Sequence, residues 1–385
     1  MWRNFTSSAL TFLLVLMFCA GGMLLWAKNQ YSAEGPLEQA ICLRVEQGST
    51  MGRVSTSLAE QGAISSGYLF RVGVNYSDKA ADLKAGSFLI PAGASMEGIV
   101  DLVTGDGRST CGSEIVYRIG VLRSEVQLRD LDPETNRFEE KFSFDPNADE
   151  VPAGFTEAAE SGDLRYRVAL AEGATSWQVI EALKAADFLT GEVTEVPAEG
   201  TLAPDSYELR KGASRGELVE EMTRRQTAIL DEAWQNRADG LPLETKEEAL
   251  ILASIVEKET GVAEERKQVA SVFVNRLKQG MRLQTDPTVI YGVTEGKGAL
   301  GRGLRQSELR RETPWNTYVI DGLPVTPIAN PGRAAIEAAL NPDDTEYLFF
   351  VADGTGGHAF AKTLSEHNDN VAKWRKIEAE RNASE

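Results

Sequence analysis

Leu250 to Gly261 reads LILASIVEKETG. At the helical period Ile251, Leu252, Ile255 and Val256 form one apolar stripe, and Glu259 falls on that stripe. Glu257 and Ser254 project to the opposite side. A glutamate on a buried face loses solvation of its charged form, so its pKa should rise. A carboxylic acid still protonated near neutral pH is what general acid catalysis of glycoside cleavage requires. A partly buried structural Glu paired with Lys or Arg fits the same pattern, and the stripe does not choose between the two.

The helix around this stretch is predicted over Lys246–Thr260 and is closed by Gly261. A second helix is predicted over Glu264–Gln279, with Val269, Val272, Phe273 and Leu277 apolar and Gly280 at its end. In Leu283-Gln284-Thr285-Asp286-Pro287-Thr288, Asp286 is expected to cap a helix with proline at its first position. Pro314, Pro324, Pro327 and Pro331 mark a loop-rich region. Beyond it come an apolar strand at Tyr347–Ala352, a glycine-rich turn at Asp353–Gly357, a partner strand at His358–Ala361 and a last helix at Asn368–Glu380.

Towards the N-terminus a diverged repeat appears. Gly48, Thr50, Val54 and Leu58 lie over Gly173, Thr175, Val179 and Leu183 at one offset. Phe88, Ile90, Gly93, Ala94, Ser95 and Ile99 then lie over Tyr207, Leu209, Gly212, Ala213, Ser214 and Leu218. Each copy reads strand, glycine-marked turn, helix, a second helical stretch in the first copy, then strand and closing helix, with Ser49 or Thr50 and Ala174 to Ser176 as helix N-caps. Such an α+β unit resembles the LysM module, which holds glycan chains; a structural repeat without ligand is the alternative. Between the copies, Glu125–Asp130 and Arg137–Phe144 alternate around the turn Asp132-Pro133-Glu134-Thr135, a hairpin pattern. Asp145 to Asp163 is acidic, lacks a sustained period and reads as a linker.

The chain has 385 residues and a net charge of −18, which argues against nucleic acid as a partner. Two histidines, His358 and His367, and three distant cysteines cannot build the usual zinc clusters; a metal site made only of carboxylates stays open but nothing points to one, and no cofactor is expected. Ala9 to Trp26 is apolar apart from Thr11, and reaches the ~18 residues of a credible membrane span. A cleaved signal peptide is the alternative, although its apolar core would run to only ~7–15 residues. Arg3 precedes the span while Glu34 and Glu38 follow it, so the positive-inside rule puts the tail in the cytoplasm and everything after Lys28 outside. Cys42 and Cys111 flank the first copy; in an oxidising space they are either bridged or two separate thiols.

Glu259 is the catalytic candidate. Glu257, Glu264 and Glu265 sit on polar faces or at a helix start, where exposed acids are expected. A conventional glycosidase needs a second carboxylate. Asp286 has a capping role available and Glu295, Glu308 and Glu312 lie in charged runs, so no partner acid stands out. Gln284, Asp286, Tyr291, Asn316 and Tyr318 place polar groups beside apolar or aromatic ones, a mixture that suits sugars, and His358 is a further candidate for lining the site.

The run Ala253 to Gly292, with Asn316-Thr317-Tyr318, Gly322-Leu323-Pro324, Asn330-Pro331-Gly332, Phe350-Val351-Ala352-Asp353-Gly354 and Gly356-Gly357-His358, closely resembles the endolytic murein transglycosylase (YceG-like, MltG) family. The insertion between the repeats and Ala361-Lys362-Thr363, where members often carry asparagines, depart from the pattern. The resemblance implies cleavage of the MurNAc–β-1,4–GlcNAc bond inside nascent peptidoglycan, leaving 1,6-anhydro-MurNAc ends. It places the catalytic glutamate at the second Glu of EKET, Glu259, acting first as acid and then as base. Thr260 either orients that acid or satisfies the helix end. Peptidoglycan strands, the inner (cytoplasmic) membrane and cell-wall synthesis proteins are the implied partners, with the catalytic part in the periplasm. The expected architecture is α+β: tail and transmembrane anchor over 1–28, LysM-like modules over 41–107 and 164–222, an inserted hairpin and linker over 112–163, and a mixed α/β catalytic domain over 223–385. A hydrolytic muramidase using Glu259 with Asp286, and a glycan-binding scaffold without activity, are the competing readings.

Overall fold

A computed structural model describes residues 2–107, 109–147, 150–160 and 164–382. They form a mixed α+β chain of two compact units, one of Met1–Ile115, Leu128–Phe142 and Pro152–Arg165, the other of Val116–Gln127, Ser143–Val151 and Tyr166–Glu385.

The first unit begins with helix α1 (Trp2–Ser32), whose stretch Thr11–Ser32 is long and apolar enough to cross a membrane, with a mean hydropathy of 1.8. Strand β1 (Ile41–Val45), helices α2 (Met51–Glu60) and α3 (Gly67–Tyr76), strand β2 (Gly86–Ile90) and helix α4 (Met96–Thr104) follow. β1 and β2 pair antiparallel with Leu43 opposite Phe88, so both side chains enter a core with Leu58, Phe70, Ile99 and Val103. Thr50, Ser66 and Ser95 cap the three helices through their hydroxyls. Cys42 and Cys111 are joined, their Cα atoms 5.8 Å apart, and Cys19 is free.

Strands β3 (Ser113–Ile119), β4 (Ser124–Asp132) and β5 (Arg137–Phe144) come next, then a short helix α5 (Phe155–Glu160). That helix lies where only a linker is expected. Gly154 turns the chain at φ +87°, and Phe155 packs edge-on to Phe142 at 6.1 Å. Positions 148–149 and 161–163 of the expected linker lie outside the described residues.

The second unit holds β6 (Arg165–Leu170), α6 (Ser176–Lys184), β7 (Ser206–Leu209), α7 (Arg215–Gln235), α8 (Lys246–Glu259), α9 (Arg266–Lys278), α10 (Asp286–Thr294), α11 (Gln306–Leu309), α12 (Arg333–Leu340), β8 (Phe349–Ala352), β9 (His358–Ala361) and α13 (Leu364–Asn382). The large sheet runs β5-β4-β3-β6-β7, while β8 and β9 form a separate antiparallel pair. α7 passes unbroken through the expected boundary at 222–223, with Met222 fully buried. α8 opens on a capping box of Thr245 and Glu248 and packs against α7, α9, α10 and α12.

Every residue of α8 from Ala249 to Val256 is buried. The expected single stripe is therefore a helix apolar all round, as a helix must be when neighbours cover each side. Ser254, expected on the polar side, is inside: its hydroxyl donates to Ile251 O (2.7 Å) and accepts from Ile328 N–H (3.0 Å). Each fully buried Leu or Ile there contributes roughly 1.5–3 kcal/mol, which makes α8 a rigid post for the residues at its end.

Candidate active site

The last turn of α8 carries Glu257, Lys258 and Glu259 out of the core, all three half-buried. Thr260 leaves the helix in an extended conformation, donates its N–H to Val256 O and accepts Val262 N–H on its hydroxyl (3.0 Å). That residue satisfies the helix end.

Glu259 receives a hydrogen bond from the Thr285 hydroxyl. Thr285 is held by a lattice of hydroxyls. Its N–H donates to Thr317 Oγ1 (3.1 Å), Thr317 and Thr288 share a bond of 2.9 Å, and Gln284 N–H donates to Thr317 O (3.1 Å). Gln284 is exposed with a left-handed φ of +48°, which presents the loop residue at the rim. Burial pushes the Glu259 carboxyl up from its ordinary range; the Thr285 bond opposes this, Asp286 adds to it, and His358 and Arg276 oppose it. A carboxyl raised by burial keeps its proton to higher pH than an exposed glutamate and can deliver it.

Asp286 does not cap α10. The N-cap is Thr285, and no side-chain bond closes that helix end. Asp286 is instead exposed and accepts the Tyr318 hydroxyl at 2.7 Å. Burial, Asp286 and the charge of Glu259 all raise the Tyr318 phenol, so it stays a donor. A second acid therefore stands near Glu259, one that its sequence context had assigned to capping.

His358 also belongs here, held by an acid expected to be idle. Glu265 is half-buried; its Oε1 accepts His358 N–H and its Oε2 pairs with His358 Nδ1, both at 2.9 Å. Gly357 makes that approach possible, because a Cβ there would strike the Glu265 carboxylate. Phe350 packs edge-on to the imidazole at 5.2 Å. Glu259, Gln284, Asp286, Tyr318 and His358 are thus linked through one set of contacts and charges, joined by Thr285, Thr317, Glu265 and Arg276, which patterning missed. The missed signal was the hydroxyl spacing Thr285, Thr288 and Thr317 around the named residues.

Asn316 and Tyr291 are engaged elsewhere. Asn316 is buried, its amide donating to the carbonyls of Glu308, Leu309 and Arg311 while its oxygen accepts Tyr318 N–H. It shapes the loop that presents Tyr318. Tyr291 donates to Glu199 Oε2 (3.1 Å) and rests against Trp315, facing the second repeat copy.

Glu257 is likewise not an exposed acid. It accepts Gly332 N–H at 2.9 Å; burial raises its pKa, that bond opposes the rise and Glu172 adds to it. Two glutamates two residues apart are both raised, but they serve different neighbours. Glu257 meets backbone and the turn of the second repeat copy, whereas Glu259 meets the Thr285 hydroxyl and feels the charges of Asp286, His358 and Arg276.

A relative from Bacillus subtilis (strain 168) named endolytic murein transglycosylase is 27% identical over 359 residues, covering 92% of this chain and 90% of that one. The protein of the same name from Streptococcus pneumoniae serotype 2 is 25% identical over 400 residues, covering 96% of this chain and 65% of its own length. A crystal structure of a YceG-like protein from Listeria monocytogenes aligns with a TM-score of 0.46 at 23% identity, over 86% of this chain and 98% of that chain. The model of the YceG-like family matches residues 138–373, more than half of the chain and inclusive of the whole Glu259 constellation. The chain belongs to the YceG-like family.

Proposed function

We propose that the chain is a membrane-anchored endolytic lytic transglycosylase of peptidoglycan, cutting the MurNAc–β-1,4–GlcNAc bond of nascent strands. The observation that carries this reading is Glu259, a carboxyl raised by burial, bonded by a hydroxyl and set on a rigid helix end. The names of the relatives support the substrate class. In its protonated form Glu259 donates to the glycosidic oxygen as the bond to C1 breaks. As carboxylate it then accepts the proton of the C6 hydroxyl while O6 bonds to C1. The products are a 1,6-anhydro-MurNAc end and a free GlcNAc hydroxyl. No water enters, and Glu259 ends protonated as it began.

Gln284, Tyr318, Asp286 and His358 are the proposed sugar contacts, with Thr285 holding the acid in place. Glycan contact by the LysM-like repeat is supported by the strand–helix–helix–strand order of its first copy. Anchoring by α1 in the inner membrane with the catalytic part in the periplasm is supported by its apolar stretch and by Arg3 ahead of it.

A hydrolytic muramidase is the second reading, favoured by the Asp286 charge that acts on Glu259. Digestion of glycan strands by the full chain, read by mass spectrometry, separates the two. Anhydro ends, one water lighter than reducing ends, are expected, and reducing ends alone would sink the lyase reading. Glu259→Gln is expected to lower cleavage by about 10³-fold or more. Cleavage left intact by that substitution would remove Glu259 from the chemistry.

A further inference from the structure

Helix α3 carries an exposed apolar stripe. Tyr68, Val72 and Tyr76 stand at i, i+4 and i+8 with 73%, 44% and 94% of their surface exposed, while Phe70 and Val74 on the other side fill the core. Single exposed apolar residues need no explanation, but two tyrosines flanking a valine along one helix do.

Two independent observations say what covers them. The first is position. Gly73 of α3 lies against the ring of Tyr31, so close that a Cβ at residue 73 would strike it. Tyr31 lies in the last turn of the apolar stretch Thr11–Ser32, whose 22 residues reach about 33 Å at the helical rise, close to the thickness of a hydrocarbon core. If that stretch crosses a membrane, helix α3 sits at the height where lipid tails give way to headgroups. The second is charge. The chain holds 58 acids, yet none occurs between Glu60 and Asp78, and Arg71 is the one charged residue in that interval. Helix α3 itself therefore brings no carboxylate to an anionic lipid surface.

We propose that α3 lies in the headgroup layer of the membrane that α1 crosses, with Tyr68 and Tyr76 as interfacial anchors around Val72. The proposal rests on the anchor reading of α1. Tyrosine suits this layer because its ring enters the apolar side while its hydroxyl stays wet. With α1 and α3 both engaged, the first unit would be pinned flat on the bilayer surface.

The test uses the full chain in a Cys19→Ser background, reconstituted in vesicles of phosphatidylethanolamine and phosphatidylglycerol. A fluorescent label is placed in turn by Val72→Cys, Tyr76→Cys, Thr56→Cys on α2, and Met17→Cys within the span. Lipid carrying a nitroxide just below the headgroup is expected to quench the labels at 72 and 76 about threefold more than the label at 56, and aqueous iodide to show the reverse order. Labels at 72 and 76 as open to iodide as the label at 56, with the label at 17 quenched by lipid, would overturn the proposal and leave the anchor standing. Protection at 72 and 76 from both quenchers would also overturn it, in favour of a protein partner. A label at 17 that lipid does not quench would overturn the anchor, and this surface with it.

Discussion

Gly48 and Gly173 occupy the same place in the two copies of the repeat and adopt nearly the same backbone, φ +78° and +79°. Thr50 and Thr175 follow them, and each caps the next helix with its hydroxyl. Their surroundings could hardly differ more. Gly48 and Thr50 are exposed, whereas Gly173, Ala174, Thr175 and Ser176 are all buried. Gly173 N–H donates to Asn330 O (2.9 Å), Ala174 O accepts the Asn330 amide (3.0 Å), and Thr175 Oγ1 donates to Gly296 O (2.5 Å). Lys258, next to Glu259, donates to Gly173 O at 3.2 Å. One local fold thus serves as a free edge in one copy and as a joint to the helix that carries Glu259 in the other. Local conformation follows from the glycine and the cap; what the turn is used for follows from its neighbours.

Each copy can be loosened separately. The first copy is closed covalently, so Cys42→Ser should cost the first unit about 4 kcal/mol by the loop-entropy estimate for a sequence separation of 69. Chemical denaturation of the purified chain would measure the loss, and cleavage per folded molecule should stay as in the wild type. The second copy is closed by Asn330, which is fully buried and also accepts Leu202 N–H at 2.9 Å. Asn330→Ala leaves that N–H unpaired and should cost about 2–3 kcal/mol, this time with reduced kcat because the end of α8 loosens.

The caps sharpen the contrast at smaller scale. Thr50→Ala should cost about 1 kcal/mol, and Thr175→Ala about 2 kcal/mol, because the latter also gives up Gly296 O and a capping box with Gln178. Equal losses in thermal melts would contradict a joint in one copy and an edge in the other. The smallest effect is expected at Glu199, which accepts Ser176 N–H (2.8 Å) and the Tyr291 hydroxyl. Burial raises its carboxyl, and the bonds from Ser176 and Tyr291 oppose that rise. A folded-state pKa above the unfolded one stabilises below the ordinary carboxylate range, and that stability is lost as pH rises through the folded value. Glu199→Gln should therefore narrow the difference in stability between mildly acidic and mildly alkaline buffer.

The raised carboxyl of Glu259 was legible in the sequence because periodicity placed it on the same face as Ile251, Leu252, Ile255 and Val256. The reason turned out to be wider than a stripe, since Ser254 is buried as well and Glu257 is half-buried. A window of one helix cannot reveal that neighbours pack on every side of it. Asp286 misled for a related reason: Asp before Pro is a sound local signal for a cap, but Tyr318, 32 residues on, claims the carboxylate. The Glu265–His358 pair bridges 93 residues and depends on Gly357 having no side chain, so no local pattern could announce it. The β8–β9 hairpin was legible, because strand alternation and a glycine-rich turn are short-range properties.

The bond between Cys42 and Cys111 ties the first unit to an oxidising compartment. A thiol pair oxidises only where the surroundings allow it, so, if α1 crosses a membrane, the state of this pair reports the side on which the first unit folds. Alkylation of whole cells before lysis would read that record. Chains that failed to cross would carry two tagged cysteines at these positions, and chains that crossed would carry none.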